Sequence, residues 1–184
     1  MKKKVIGLLV VGIVIISIVV LIAATSSKKE NREKKEINMN KNMYTCIKKD
    51  EDTDVVTKYI KHTIKLKNNK NKSKEDTSSD KKIVDTYITI NNYKYSIKKE
   101  YEKKCYELKM NEEYINSSKD IDFKEKVTCN NKKKFVSVKD EFIIDKLSES
   151  GKKSLDRVLK YQKDDKFDIK AWLDFEKHDK YDCE

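Results

Sequence analysis

Residues 5–24 run for twenty positions without a charged side chain, and a stretch of that kind has few places to go. As an α-helix it would be about 30 Å long, the thickness of a bilayer's hydrocarbon core. Val5 opens the run and Ala24 closes it. The length predicts one transmembrane helix kept as a signal anchor, because the apolar part of a cleaved leader is usually only about 7–15 residues. Ala24-Thr25-Ser26 leaves cleavage as the alternative. Lipid anchoring would need an acceptor cysteine near the run, and the first cysteine is Cys46. A pilin leader would need an acid early in the run, and Gly7-Leu8-Leu9-Val10-Val11 has none.

Sidedness has to be weighed. Lys2, Lys3 and Lys4 precede the run, whereas Lys28, Lys29, Arg32, Lys34 and Lys35 follow it, so flanking charge alone would keep the C-terminal part inside. Against that, a basic start leading directly into an apolar run is an export signal, and all four cysteines come after it. An even cysteine count in a small exported domain suggests disulfides. The expectation is a single-pass protein of the cell membrane, with residues 1–4 in the cytoplasm and an extracytoplasmic domain at 43–184. Residues 25–42 are polar, charged and aperiodic, which reads as a stalk.

About 140 residues remain for one domain. Charged residues are 41 % of the chain and lysine dominates them, with Arg32 and Arg157 the only arginines among 43 basic side chains. A chain rich in Lys, Asn, Ile and Tyr and without proline is typical of an AT-rich bacterial genome, so each lysine says less about function than usual. The charge is uneven, since residues 37–162 carry 30 basic and 21 acidic side chains while 163–184 carry five and eight. Such a field draws polyanions without choosing among them.

Periodicity gives the elements. Met43-Tyr-Thr-Cys-Ile47 is a short strand, and residues 55–67 alternate with Val56, Ile60, Ile64 and Leu66 on one face. His62 shares that parity, which predicts a core histidine. A polar stretch at 68–82 leads to a strand at 83–90 in which Val84, Ile88 and Ile90 alternate, making a long-looped antiparallel hairpin. After Asn91-Asn92 the period changes, and Ile97, Tyr101, Cys105 and Leu108 form a helix stripe. Two more strands, at 126–130 and 134–144, flank the turn Asn130-Asn131-Lys132-Lys133. Ser154 is placed to cap a helix with Leu155, Val158 and Leu159, and Asp168 one with Ile169, Trp172 and Leu173. The order is α+β, a small antiparallel sheet with packed helices behind an N-terminal transmembrane helix.

Cys46, Cys105, Cys129 and Cys183 are separated by 59, 24 and 54 positions. Zinc prefers close ligand pairs, which neither this spacing nor His62 and His178 provides. Four cysteines allow three pairings. The favoured one is Cys46 with Cys183, joining the two ends of the domain, and Cys105 with Cys129, joining a helix to the next strand. Tyr44-Thr45-Cys46 opens the domain, Val127-Thr128-Cys129 follows the helix, and Tyr181-Asp182-Cys183 closes the chain. Through these short motifs, residues 43–183 resemble uncharacterised small exported proteins of low-GC Gram-positive bacteria, similar in style to YehR-like lipoproteins. The chain departs from the lipoproteins in having no lipid-acceptor cysteine. The resemblance implies export and supplies no activity.

With Gly151 the only glycine after residue 12, phosphate loops and dinucleotide-binding turns cannot be built. No carboxylate spacing singles out an acid–base pair, and no cysteine sits in a nucleophile motif. Tyr93, Tyr95, Tyr101 and Tyr106 cluster with lysines, but no nucleic-acid recognition motif accompanies them. The expectation is a non-enzymatic, membrane-tethered domain with no cofactor, no metal and no nucleic-acid partner, drawn to anionic envelope polymers or lipids. The alternative is a cell-envelope enzyme or accessory whose site one sequence does not reveal.

Overall fold

Branched and aromatic residues crowd residues 43–95, and they build three long strands. The structure is a computed structural model and describes residues 38, 41–68, 81–119, 121–163 and 166–184. The expected membrane helix at 5–24 lies outside the described residues, as does most of the expected stalk. Among the described residues no helix is long and apolar enough to cross a membrane. Ile37–Glu184 forms a compact unit of its own.

The strands are β1 (Met43–Asp52), β2 (Val56–Asn68), β3 (Lys82–Tyr95), β4 (Lys124–Asn130), β5 (Phe135–Ile143) and the short β8 (Asp182–Cys183). They form one sheet in the order β4-β5-β3-β2-β1-β8, antiparallel at every pairing. Helix α1 (Lys98–Ser117) connects β3 to β4. After β5 the chain runs through a 3-10 turn at Ile144–Lys146 and two short helices, α2 (Glu149–Ser154) and α3 (Asp156–Leu159). A two-stranded ribbon follows, β6 (Gln162–Lys163) with β7 (Lys166–Phe167), and then α4 (Ile169–His178).

Cross-strand partners share a face, so the register sorts the side chains. Tyr44, Cys46, His62, Ile64, Tyr87 and Phe142 stand on one face. At one end of it they pack with Leu155, Val158, Phe167, Trp172, Leu173 and Tyr181 from the C-terminal segment. Toward β4 on the same face, Tyr101, Cys105 and Leu108 of α1 meet Val127, Val136, Val138, Tyr93 and Cys129. Each fully buried large side chain contributes about 1.5–3 kcal/mol, and Trp172, Tyr44 and Phe167 are the largest. Both cores, the sheet and all four cysteines lie within residues 43–184, so this part carries what it needs to fold alone.

Three sequence expectations need correction. The third strand does not stop at Ile90 but continues through Asn91-Asn92 to Tyr95. Val84 pairs with Leu66 while Thr86 pairs with Lys65, leaving Asp85 as an extra residue. That bulge inverts the alternation, so Val84 and Tyr87 enter the core while Ile88 and Ile90 face the other way. Ser154 caps nothing: its hydroxyl donates to the Ser150 carbonyl, and α3, the helix with Val158 and Leu159, has Leu155 at its N-cap and no side-chain cap, whereas α2 before it is capped by Ser148, which accepts from the Gly151 amide at 3.1 Å. Asp168 does cap α4, accepting from the Ala171 amide at 3.0 Å.

Two devices finish the ends of the sheet. The free edge of β4 is closed by α1: the Asn116 carboxamide donates to the Glu125 carbonyl at 2.8 Å and accepts from its amide at 3.2 Å. Glu112 accepts from the Val127 amide at 3.1 Å. A side-chain amide thus takes the place of a neighbouring strand, which guards an edge against pairing with another chain. At the other side, α4 ends with Lys180 at φ 66°, the Tyr181 amide donating to the Glu176 carbonyl at 3.0 Å. This left-handed stop turns Tyr181 inward and lets Thr45 and Glu184 exchange backbone hydrogen bonds of 3.0 and 2.8 Å.

Candidate binding surface

The second face of the sheet carries no helix among the described residues. Its composition follows from the register. Crossing β4, β5, β3, β2 and β1, one row reads Lys126, Lys139, Ile90, Lys61, Ile47. The next reads Lys124, Glu141, Ile88, Thr63, Thr45, and a third, starting on β5, reads Ile143, Thr86, Lys65, Met43. Lys126 and Lys139 stand directly opposite each other, an arrangement that costs stability. Glu141, the one carboxylate of these rows, pairs with Lys139. Its carboxyl is held below the usual range by that hydrogen bond, with Lys65 and Lys124 adding to the field. The Thr45 and Thr63 hydroxyls are 3.2 Å apart, and both residues are buried, as are Ile88 and Thr86 beside them. Met43, Ile47 and Ile143 project at 53, 39 and 37 % exposure.

At the β4 edge this face runs into a cleft of about 480 Å³ lined by Glu112, Asn116, Lys124, Glu125, Lys126, Lys139 and Glu141. Burial raises Glu112, but the Lys109 ion pair and the Val127 amide hold its carboxyl below the ordinary range. Glu125 goes the other way. It is 8 % exposed and opposite Asp140, and its carboxyl is raised by burial and by that neighbour. Burial also raises Asp140, against the Thr89 hydroxyl that donates to it at 3.0 Å. Asn111 donates to both Glu125 oxygens, at 3.0 and 3.3 Å. Both acids therefore have structural partners, and every lining side chain of the cleft is polar, unlike the mostly apolar wall of a typical small-molecule pocket.

Beneath the covered face lies a buried charge cluster. Glu176 is 0 % exposed. Its Oε2 is 2.9 Å from His62 Nδ1, and Arg157 Nη2 approaches Oε1 at 3.7 Å while bonding Asp179 at 2.8 Å. Tyr181 stacks on the His62 ring with centroids 4.7 Å apart, and burial first, then Glu176, push its phenol up to about 12. His62 is thus the satisfied core histidine expected from its parity. Its partner was not foreseen, although Glu176 follows Trp172 and Leu173 on one helical stripe, and an acid on an apolar stripe is a readable sign of a buried pair. His178 is exposed and takes no part.

The structure brings Cys46 to Cys183, cross-strand partners on β1 and β8, and Cys105 on α1 to Cys129 on β4, both pairs at disulfide distance. It brings the two pairs nowhere near one metal-binding cluster, and no group of three or more metal-ligating side chains occurs among the described residues. No family model, curated protein or solved structure matches the chain. The site must therefore be read from its own chemistry. What sequence reasoning missed is the second face itself, because the bulge at Asp85 moves Ile88 and Ile90 onto it and only the register aligns lysines from three strands, β2, β4 and β5.

Proposed function

We propose that this chain is a membrane-tethered, extracytoplasmic binding domain, held by a helix at 5–24 and acting by adhesion to an anionic component of the envelope rather than by catalysis. One observation carries the reading: a broad sheet face with five lysines from three strands, a single carboxylate in the same three rows, and no covering helix among the described residues. The cost of setting Lys126 against Lys139 supports it, since an anion seated there would relieve the repulsion. The resemblance of the three cysteine motifs to small exported proteins supports the compartment.

The test uses the full chain in cells. A cysteine introduced by Ser73→Cys should react with a membrane-impermeant thiol reagent on intact cells, and one introduced by Lys3→Cys should not. The protein should stay in the membrane fraction after a high-salt wash. Labelling at position 3 alone would overturn the sidedness, and recovery of a soluble form beginning near Ser26 would replace the tether with a cleaved leader.

A further inference from the structure

The geometry points to the second sheet face, which carries no helix among the described residues, as a docking surface for an anionic lipid bilayer. The inference deepens the binding reading above by naming the partner. Lys61, Lys65, Lys124, Lys126 and Lys139 share this face with Glu141 alone in their rows, so it is complementary to a negative surface. A linear polyanion and a bilayer would both satisfy those charges. Met43, Ile47 and Ile143 separate them, because these side chains project from the same face at 53, 39 and 37 % exposure. Aliphatic groups gain nothing against a hydrated polymer, whereas at a bilayer they enter the headgroup region while lysines meet anionic lipid.

The place where the chain joins the domain agrees. Met43 is the first residue of β1, and the segment at 25–42 that leads to it from the apolar run is short, with a reach of at most roughly 60 Å. Held that close, a face needs only weak affinity to remain on the bilayer. The lysines steer and the aliphatics insert, and neither alone would suffice.

The experiment uses purified residues 37–184, which avoids insertion of the apolar run, and vesicles of phosphatidylcholine with or without about 30 % phosphatidylglycerol. The domain should sediment with anionic vesicles at about 0.1 M salt, not with neutral ones, and be released at about 1 M. The triple variant Lys61→Glu, Lys126→Glu, Lys139→Glu should bind at least about 10-fold more weakly. A variant with the same charge change elsewhere, Lys103→Glu, Lys170→Glu, Lys177→Glu, should lose much less. Equal losses would reduce the effect to net charge and overturn the inference. Tryptophan introduced by Met43→Trp should be quenched by brominated lipid, against the silent background of Trp172, which is 0 % exposed. Quenching of Met110→Trp instead would assign the membrane face to the exposed stripe of Tyr106, Met110 and Tyr114 on α1 and sink this one. Binding to soluble polyphosphate without binding to vesicles would overturn the lipid and leave the adhesion reading standing. A domain that binds vesicles from a full chain that fractionates as soluble would sink the tether and not this inference.

Discussion

At the scale of single residues, burial decides what a charge does. Glu176 is enclosed, and His62 and Arg157 are what make its enclosure tolerable. Removing one partner of a buried pair leaves an uncompensated group, at a cost of about 3–5 kcal/mol. Glu176→Ala should therefore lower the unfolding free energy by about 3 kcal/mol, whereas Glu176→Gln, which can still accept a hydrogen bond from His62, should cost clearly less. Urea titrations of the two variants compare them, and equal losses would mean that packing of α4, not charge, holds Glu176 in place. Glu125 poses the opposite case. Its carboxyl is raised by burial and by Asp140, so the folded state keeps its proton to higher pH than the unfolded chain, whose value is near 4.3. Stability is then full below that value and declines as pH rises through it toward the folded value. Glu125→Gln, which still accepts from Asn111, should flatten that decline and match or exceed the parent at pH 7. Superimposable pH–stability curves would refute the assignment.

At the scale of elements, amphipathic pattern was enough to find β1 to β5 and the α1 stripe of Tyr101, Cys105 and Leu108, because each buries one face against one partner, whereas Ile97, expected on that stripe, sits at the N-cap of α1 and is 47 % exposed. The pattern failed where two residues oppose one. Nothing local in Val84-Asp85-Thr86 announces an extra residue, and only pairing with Lys65 and Leu66 shows that the later isoleucines turn to the other face of the sheet. The caps divide in the same way: Asp168 and Ser148 both accept from the amide three residues on, but Ser154, an equally good local signal, is the last residue of α2 and its hydroxyl turns back to the Ser150 carbonyl. Edge protection is also invisible locally, since Asn116 reads as an ordinary helix-end residue. Its two hydrogen bonds to Glu125 predict that Asn116→Ala costs about 1–2 kcal/mol by leaving backbone groups half-satisfied. It should also increase self-association, measurable by light scattering, because the β4 edge becomes available for pairing. An unchanged association state with unchanged stability would show that water serves as well as the amide.

At the scale of the whole molecule, the lean core makes covalent closure matter. The two clusters share one face of one sheet, and the C-terminal segment supplies Phe167, Trp172 and Tyr181 to the larger of them. The Cys46–Cys183 pair returns that end to β1 and closes a loop of 137 residues, while Cys105–Cys129 closes one of 24. Loop-closure entropy assigns roughly 5 kcal/mol to the first and roughly 3.5 kcal/mol to the second, each an upper bound. The bounding positions of the cysteines were legible because they bracket the folded region, and the inward stripe of α1 pointed Cys105 at the following strand. Non-reducing peptide mapping of protein from its native compartment should recover Cys46 joined to Cys183 and Cys105 joined to Cys129 with no free thiol. The double variant Cys46→Ser, Cys183→Ser should lose more stability than Cys105→Ser, Cys129→Ser by about 1–2 kcal/mol, and proteolysis of the first should release the segment after Phe167 before α1 is cut. A larger loss from the Cys105–Cys129 variant would place the weak point at α1 instead. Four free thiols would remove both closures and the argument for export that leans on them.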